Sequence, residues 1–251
     1  MLSQEFIDRL TSAVRVVALT GAGASAESGI ATFRDPGGIW EDVDPAELAS
    51  MSGFLRDPVR VQAWYSARRR KALAAEPHAG LFALAEIEKI VPEFTLVTQN
   101  VDGLHRRAGS SKVLGIHGDI LDSLCSTCGE ECAPLDVSPN AGEPALCPCG
   151  GLVRPAVVWF GEMLDRTLLD RASKATTECD VFLSIGTGAE VQPAAALPLI
   201  AADHGAYVLE VNPRPTVISS MVSETVRGRA GEVLPAILQS LTVLNNVKSI
   251  A

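Results

Sequence analysis

One short stretch constrains this chain more than any other: residues 21–35, GAGASAESGIATFRD, entered straight from the β-rich run VRVVALT at 14–20. A buried strand that ends on Gly21 and Gly23 can turn sharply and bring bare backbone close to a ligand, because neither residue carries a Cβ. Ala24, Ser25 and Ala26 keep that approach open. Successive N–H groups in such a turn can cradle a pyrophosphate. Gly21-x-Gly23-x-x-Ala26 satisfies the dinucleotide fingerprint in its G/A form, although a plain glycine-rich strand-to-helix turn would read the same way. The tail Thr32-Phe33-Arg34-Asp35 is less ordinary, since a redox fingerprint continues into helix rather than into a polar and aromatic loop. Nor is there a clear acidic residue on a second strand about twenty residues further on. A dehydrogenase is therefore disfavoured.

The rest of the chain fits an α/β protein built on that first turn. Apolar residues make up 47% of 251, enough for a substantial core, and no segment approaches the ~20 apolar residues that span a membrane. Acidic Glu5 and Asp8 before the first apolar run do not suit a secretory or transit segment, so a cytoplasmic protein is expected. A net charge of −9 argues against electrostatic binding of nucleic acid. Helices are expected over 3–13, from about 45, over 58–75 and 78–91, over 165–178 and 194–204, and from about 233. Asp44-Pro45 and Asp57-Pro58 pair an N-cap with a proline at N1. Strands are expected over 14–20, 94–99, 156–160, 181–185 and 206–211, with two short runs around His117. Such alternation implies a Rossmann-like, doubly wound parallel sheet.

Residues 125–154 break the pattern. They are rich in Cys, Pro and Gly, lack periodicity, and need a staple. Four of the six cysteines form two close pairs, Cys125/Cys128 and Cys147/Cys149, with eighteen residues between the pairs. That spacing reads as a structural zinc site of four thiolates, ahead of free buried thiols or a redox pair. Only Pro148 separates the second pair, a tight bite, and Cys132 is a conceivable substitute ligand. A closed site of this kind assigns the metal to folding, not to catalysis.

A second informative stretch, TQNVDGLH at 98–105, begins where a predicted strand ends, the place where open α/β sheets bind ligands. Asn100 and Asp102 are polar groups able to hold an amide or a ribose. His117 precedes Gly118, which cannot crowd it, and a neutral imidazole near pH 7 can accept a proton. His105 reads as structural, and His78 and His204 as capping residues.

GAGASAESGIATFRD, TQNVDGLH, the His-Gly pair in LGIHG and VVWFGE at 157–162 follow one another in an order that resembles the sirtuin family of NAD-dependent protein deacylases. The resemblance runs from about residue 14 to 235. It implies one catalytic domain: a Rossmann-like large part (1–35, 78–122 and 155–251), a helical insert (about 36–77) and a zinc module (about 123–154). It implies that NAD is consumed. Nicotinamide leaves, the acyl oxygen of an acyl-lysine captures the ribose C1′, and a histidine activates ribose hydroxyls. By matching motif that histidine is His117, with Asn100 and Asp102 at the nicotinamide and ribose pocket. The cofactor would be wrapped by Gly21, Ala22, Gly23, Ala24, Ser25, Glu27, Thr32, Phe33, Arg34 and Trp40. Gln99, Val101, Gly186, Thr187, Gly188, Asn212, Pro213, Arg214 and Ala230 would complete the site. Gly188 departs from the family's usual serine and removes one hydroxyl. Val158, Phe160 and Gly161 match the strand that pairs with an extended substrate peptide.

On the helix over 58–75, Tyr65 and Arg68 lie three apart and share a face. They match the Tyr-x-x-Arg pair of class III sirtuins, which remove succinyl, malonyl and similar acidic groups, although Arg68-Arg69-Arg70-Lys71 also reads as a solvated basic face. The expected partners are acyl-lysine proteins. A transferase of ADP-ribose to protein and a non-catalytic NAD-binding module remain alternatives.

Overall fold

The computed structural model describes residues 2–33, 39, 43–138 and 140–248, with no side-chain description for 244–248. Arg34 and Trp40, expected on the cofactor loop, lie outside these residues. In chain order the elements are α1 (Gln4–Ser12), β1 (Arg15–Thr20), α2 (Pro45–Leu48), α3 (Met51–Arg56), α4 (Pro58–Ala74), α5 (Ala79–Ile90), β2 (Glu93–Thr98), α6 (Leu104–Arg107) and β3 (Val113–Gly115). Then come β4 (Gly118–Cys125), β5 (Glu131–Cys132), β6 (Val153–Val157), α7 (Arg166–Glu178), β7 (Val181–Ile185), α8 (Leu197–Asp203), β8 (Tyr207–Val211), β9 (Glu224–Val226) and α9 (Ala230–Lys248).

Six strands form a parallel sheet in the order β3-β2-β1-β7-β8-β9. Alternation along β1 divides the core. Val16 and Ala18 join Phe6, Leu84, Ile87, Leu234 and Ile237 under α1, α5 and α9. Val17 and Leu19 join Ala172, Phe182, Leu197 and Val208 under α7 and α8. The sheet is thus buried on both faces, as the near-continuous apolar strands require. Strand order reverses between β1 and β7. At such a switch point the loops leave in opposite directions and open a crevice at the strands' carboxyl ends.

A second, antiparallel sheet, β5-β4-β6, carries the cysteine-rich segment. The strand expected over 156–160 is found at Val153–Val157, in this small sheet. Its pairing with β4 ends at Gly118↔Val157, and the chain beyond it takes other partners: Val158 N–H donates to the His117 carbonyl at 2.9 Å and Phe160 N–H to that of Ala49 at 2.9 Å. The small sheet docks on α4. Ser66 Oγ accepts from Val137 N–H at 2.9 Å, and the Gln62 amide exchanges hydrogen bonds with Ala145 and Val153.

Candidate active site

The first turn is built by close packing of two strand ends. Gly21 N–H donates to the Ile185 carbonyl at 3.0 Å and Gly23 N–H to that of Gly186 at 2.8 Å. A Cβ on Gly21 would meet Thr187 at 2.8 Å, and one on Gly23 would meet the Gly186 oxygen at 2.8 Å. Gly186 has φ +60, and a Cβ there would meet Ala24 N at 2.3 Å. These three glycines are therefore required by backbone against backbone. Beyond them the chain makes two short 3-10 turns, Ala22–Ala24 and Ala26–Ser28, in place of a long helix.

The end of β2 locks onto this turn from the other side. Asn100 Nδ2 donates to the Gly21 carbonyl and to Ser25 Oγ, both at 2.9 Å. Asn100 N–H donates to Thr98 Oγ1 at 3.0 Å, and Thr98 in turn accepts from the Thr20 hydroxyl at 2.8 Å. Thr20 also meets His105 Nε2 at 2.8 Å. His105 Nδ1 is buried with no partner, which puts the proton of the neutral ring on Nε2. Burial, helped by the charges of His78 and Arg106, lowers the His105 pKa to about 4. Asp102 is buried too, and burial raises its carboxyl above the usual range against the hydrogen bonds from Leu104 N–H and Ser25. Asn100 and Asp102 thus both bond Ser25 beneath the turn.

His117 follows β3, and its Nδ1 lies 3.1 Å from the Gln99 carbonyl. That contact assigns the Nδ1 proton and leaves Nε2 as an acceptor. Burial lowers its pKa, with the Gln99 carbonyl acting the other way, so the neutral ring is favoured. Gln99 Nε2 reaches Thr187 Oγ1 at 2.9 Å, and Asn212 Nδ2 reaches the Thr187 carbonyl at 3.1 Å. The ends of β2, β7 and β8 are therefore hydrogen-bonded into one rim.

These groups surround a cavity of about 1450 Å³. Gly21, Ala22, Gly23, Glu27, Thr32 and Phe33 line one wall; Gln99, Asn100, Val101 and His117 line the floor. Gly186, Thr187, Gly188, Asn212, Pro213, Arg214, Tyr65, Arg68, Val158, Phe160 and Gly161 also line it. Ala24, Ser25 and Asp102 sit behind the wall as support. Ala230 is buried at the start of α9, where Gly231 N–H donates to Glu27 Oε2 at 2.7 Å. Arg166 and Arg229 also line the cavity. The sequence reading did not single them out, and their positions at the starts of α7 and α9 were the available signal. A cavity of this size, at the switch point and with bare backbone on one wall, fits an extended dinucleotide.

Tyr65 is buried on α4, and its hydroxyl accepts from the Trp159 indole at 2.9 Å. Burial pushes the phenol up to about 12. Arg68 lies over three rings, with its guanidinium carbon 4.6 Å from the Trp64 centroid, 5.3 Å from Phe33 and 5.9 Å from Tyr65. Burial lowers its pKa, against the charges of Tyr65 and Asp102. Among the described residues no carboxylate comes within ion-pair distance of it.

The sequence reading also missed Arg154. Its guanidinium pairs with both oxygens of Glu162, at 2.5 and 2.8 Å, and lies 3.7 Å above the Trp159 ring.

Away from the cavity, the sulfur atoms of Cys125, Cys128, Cys147 and Cys149 all lie within 4.8 Å of one another. Cys125–Cys149 and Cys128–Cys149 are 3.5 Å apart and Cys128–Cys147 3.9 Å. A tetrahedral zinc with Zn–S of ~2.3 Å needs sulfurs ~3.8 Å apart, so the four cysteines could hold one zinc despite the short Cys147-Pro-Cys149 bite. Cys132 is not part of this cluster; its sulfur faces the Glu130 carbonyl at 3.6 Å.

Residues 21–193 match the family described as the Sir2 family. The NAD-dependent protein deacylase 1 of Pseudomonas aeruginosa is 47% identical over 241 residues, covering 93% of this chain and 96% of its own. An NAD-dependent protein deacylase of Thermus thermophilus is 44% identical, covering 94% and 93%. Among solved structures, a Sir2 homologue in complex with NAD superposes with a TM-score of 0.90 at 40% identity, over 97% of this chain and 95% of that one. A complex of Sir2 with a p53 peptide and NAD superposes with a TM-score of 0.86 at 29% identity, over 97% and 100%.

Proposed function

The chain belongs to the Sir2 family, and on that premise we propose that it is an NAD-dependent protein-lysine deacylase that removes succinyl and malonyl groups, and acetyl as well. The products are free lysine, nicotinamide and O-acyl-ADP-ribose. When bound, NAD supplies the ribose carbon that takes the acyl oxygen. The protein's part is to hold, orient and deprotonate. Gly21–Gly23 backbone and the rim at Gly186, Thr187 and Asn212 bind the dinucleotide. Asn100, with Asp102 behind it, keeps the turn in place and defines the nicotinamide end. His117, with Nδ1 engaged by Gln99, takes a ribose hydroxyl proton at Nε2. Val158–Gly161 offers backbone to an extended peptide. One zinc on Cys125, Cys128, Cys147 and Cys149 keeps the small sheet closed. The reading puts the enzyme in the cytoplasm, acting on proteins rather than nucleic acid.

One observation carries the acidic preference. Arg68 and Tyr65 line the same cavity as His117, and the described residues supply Arg68 with no ion pair. An acetyl group ends in a methyl and needs only an apolar wall. A succinyl carboxylate loses its water on entry, at a cost of several kcal/mol if unpaired. A guanidinium can give it two parallel hydrogen bonds. The test is a set of acetyl-, malonyl-, succinyl- and glutaryl-lysine peptides with NAD, read by mass spectrometry. Succinyl and malonyl peptides should turn over with the highest kcat/KM, and nicotinamide release should require acyl peptide. Turnover of acetyl alone would overturn the preference, and peptide-independent nicotinamide release would favour ADP-ribosyl transfer.

A further inference from the structure

We infer that Trp159 is a specificity-setting positioning residue: its indole N–H fixes the Tyr65 hydroxyl as a donor aimed at the acyl end of the cavity. This rests on the acidic-acyl reading and adds to it the residue that orients the phenol.

An indole nitrogen donates and never accepts. The contact from Trp159 Nε1 to the Tyr65 oxygen at 2.9 Å therefore occupies a lone pair of the phenol and turns its own hydrogen elsewhere. Among the described residues no acceptor takes that hydrogen. Of the charged groups that act on it, Arg68 and Arg154 can only donate, and the Glu162 carboxylate is already engaged by Arg154 and the Trp159 backbone N–H. Tyr65 lines the cavity beside Arg68 and Trp159, so the hydrogen is left for whatever enters there. An acyl carboxylate is the acceptor that suits it, and the methyl of an acetyl group is not.

The indole is itself held on three sides. Phe54 packs against it with centroids 5.1 Å apart. Arg154 lies over its face at 3.7 Å. Glu162 Oε2 accepts from the Trp159 backbone N–H at 2.8 Å, and the same carboxylate pairs with Arg154. Trp159 is only 2% exposed, so its ring has little freedom to swing away from Tyr65. A phenylalanine could fill much of this space but could not direct the phenol.

The experiment compares kcat/KM for succinyl- and acetyl-lysine peptides in the wild type, Trp159→Phe, Tyr65→Phe, the double variant and Arg68→Met. The succinyl-to-acetyl ratio should fall roughly two- to tenfold in Trp159→Phe, the effect of one hydrogen bond, mainly through the succinyl KM. The double variant should match Tyr65→Phe, because without the phenol the indole has nothing to orient. Should Trp159→Phe fold poorly, replacing Trp159 with 3-benzothienylalanine keeps the bicyclic ring and puts sulfur where the N–H was. It should give the same fall. An unchanged ratio in the isosteric variant, or losses that multiply in the double variant, overturns the role of Trp159. If Arg68→Met leaves the ratio unmoved, the acidic-acyl reading falls and this inference with it. A fall in Arg68→Met without one in the Trp159 variants overturns only the role of Trp159.

Discussion

At the scale of single residues, two histidines, buried His105 and half-buried His117, meet different surroundings with the same imidazole. His117 lines the cavity, among the described residues no partner bonds its Nε2, and burial lowers its pKa. In the proposed mechanism, protonation removes the base as pH falls. The acid limb of kcat/KM should therefore lie below the ordinary imidazole value of ~6.5. His117→Ala should lose ~10²–10⁴-fold in turnover with an unaltered melting curve; near-normal turnover would contradict the assignment. His105 is tied to Thr20 and titrates at about 4. Its folded pKa is depressed, so the unfolded chain binds the extra proton. The stability it protects is full above pH ~6.5 and is lost as pH falls toward 4. The loss is of order 3 kcal/mol. Urea unfolding at pH 7 and pH 4.5 should show a smaller drop for His105→Gln than for the wild type. His117 and the glycines were legible because short local motifs carry them. Trp159 and Tyr65, 94 residues apart, were legible as motif members, but their contact was not, since only the fold brings β6's continuation onto α4.

At the scale of elements, local signals explain what the sequence disclosed. β7 is a continuous apolar run and stands where it was expected, at Val181–Ile185. β9, Glu224–Val226, has no such run and exists because its backbone extends the sheet beside β8. α3 was hidden by Gly53, which lowers helix propensity; a Cβ there would meet the Glu47 oxygen at 2.1 Å. α9 starts at Ala230, ahead of the expected residue 233, because Glu27, 204 positions away, accepts from its first turn. The cysteine module showed its ligands but not its seat on α4. Gln62 is fully buried and bonds the Ala145 N–H, the Ala145 carbonyl and the Val153 carbonyl. Gln62→Ala should cost about 1–3 kcal/mol by stranding those groups, measured by chemical unfolding. Chelation should remove one zinc per chain and destabilise the same unit. Because α4 carries Tyr65 and Arg68, acyl selectivity should decline along with the metal, and metal analysis beside peptide assays checks both. Undiminished selectivity in zinc-free protein would separate the module from the acyl end.

At the scale of the whole molecule, residues from the parallel sheet and residues next to the antiparallel sheet line the same crevice. The parallel sheet brings bare glycine backbone, Asn100 and His117 to the switch point between β1 and β7. The smaller sheet is seated on α4, and residues 158–161 beyond it line the same cavity as Tyr65 and Arg68. On the proposed reading, the groups around His117 serve consumption of NAD with any acyl-lysine, and Tyr65 and Arg68 select which acyl group is accepted. The measurement that bears most directly on this division is the ratio of succinyl to acetyl kcat/KM in Arg68→Met against the wild type. The ratio cancels any general loss of folding. Charged hydrogen bonds contribute ~1.5–3 kcal/mol each, and ~1.4 kcal/mol is about tenfold in rate. The ratio should therefore fall roughly ten- to several-hundredfold, while deacetylation changes far less. Equal loss of both activities would make Arg68 a structural residue and the enzyme a plain deacetylase.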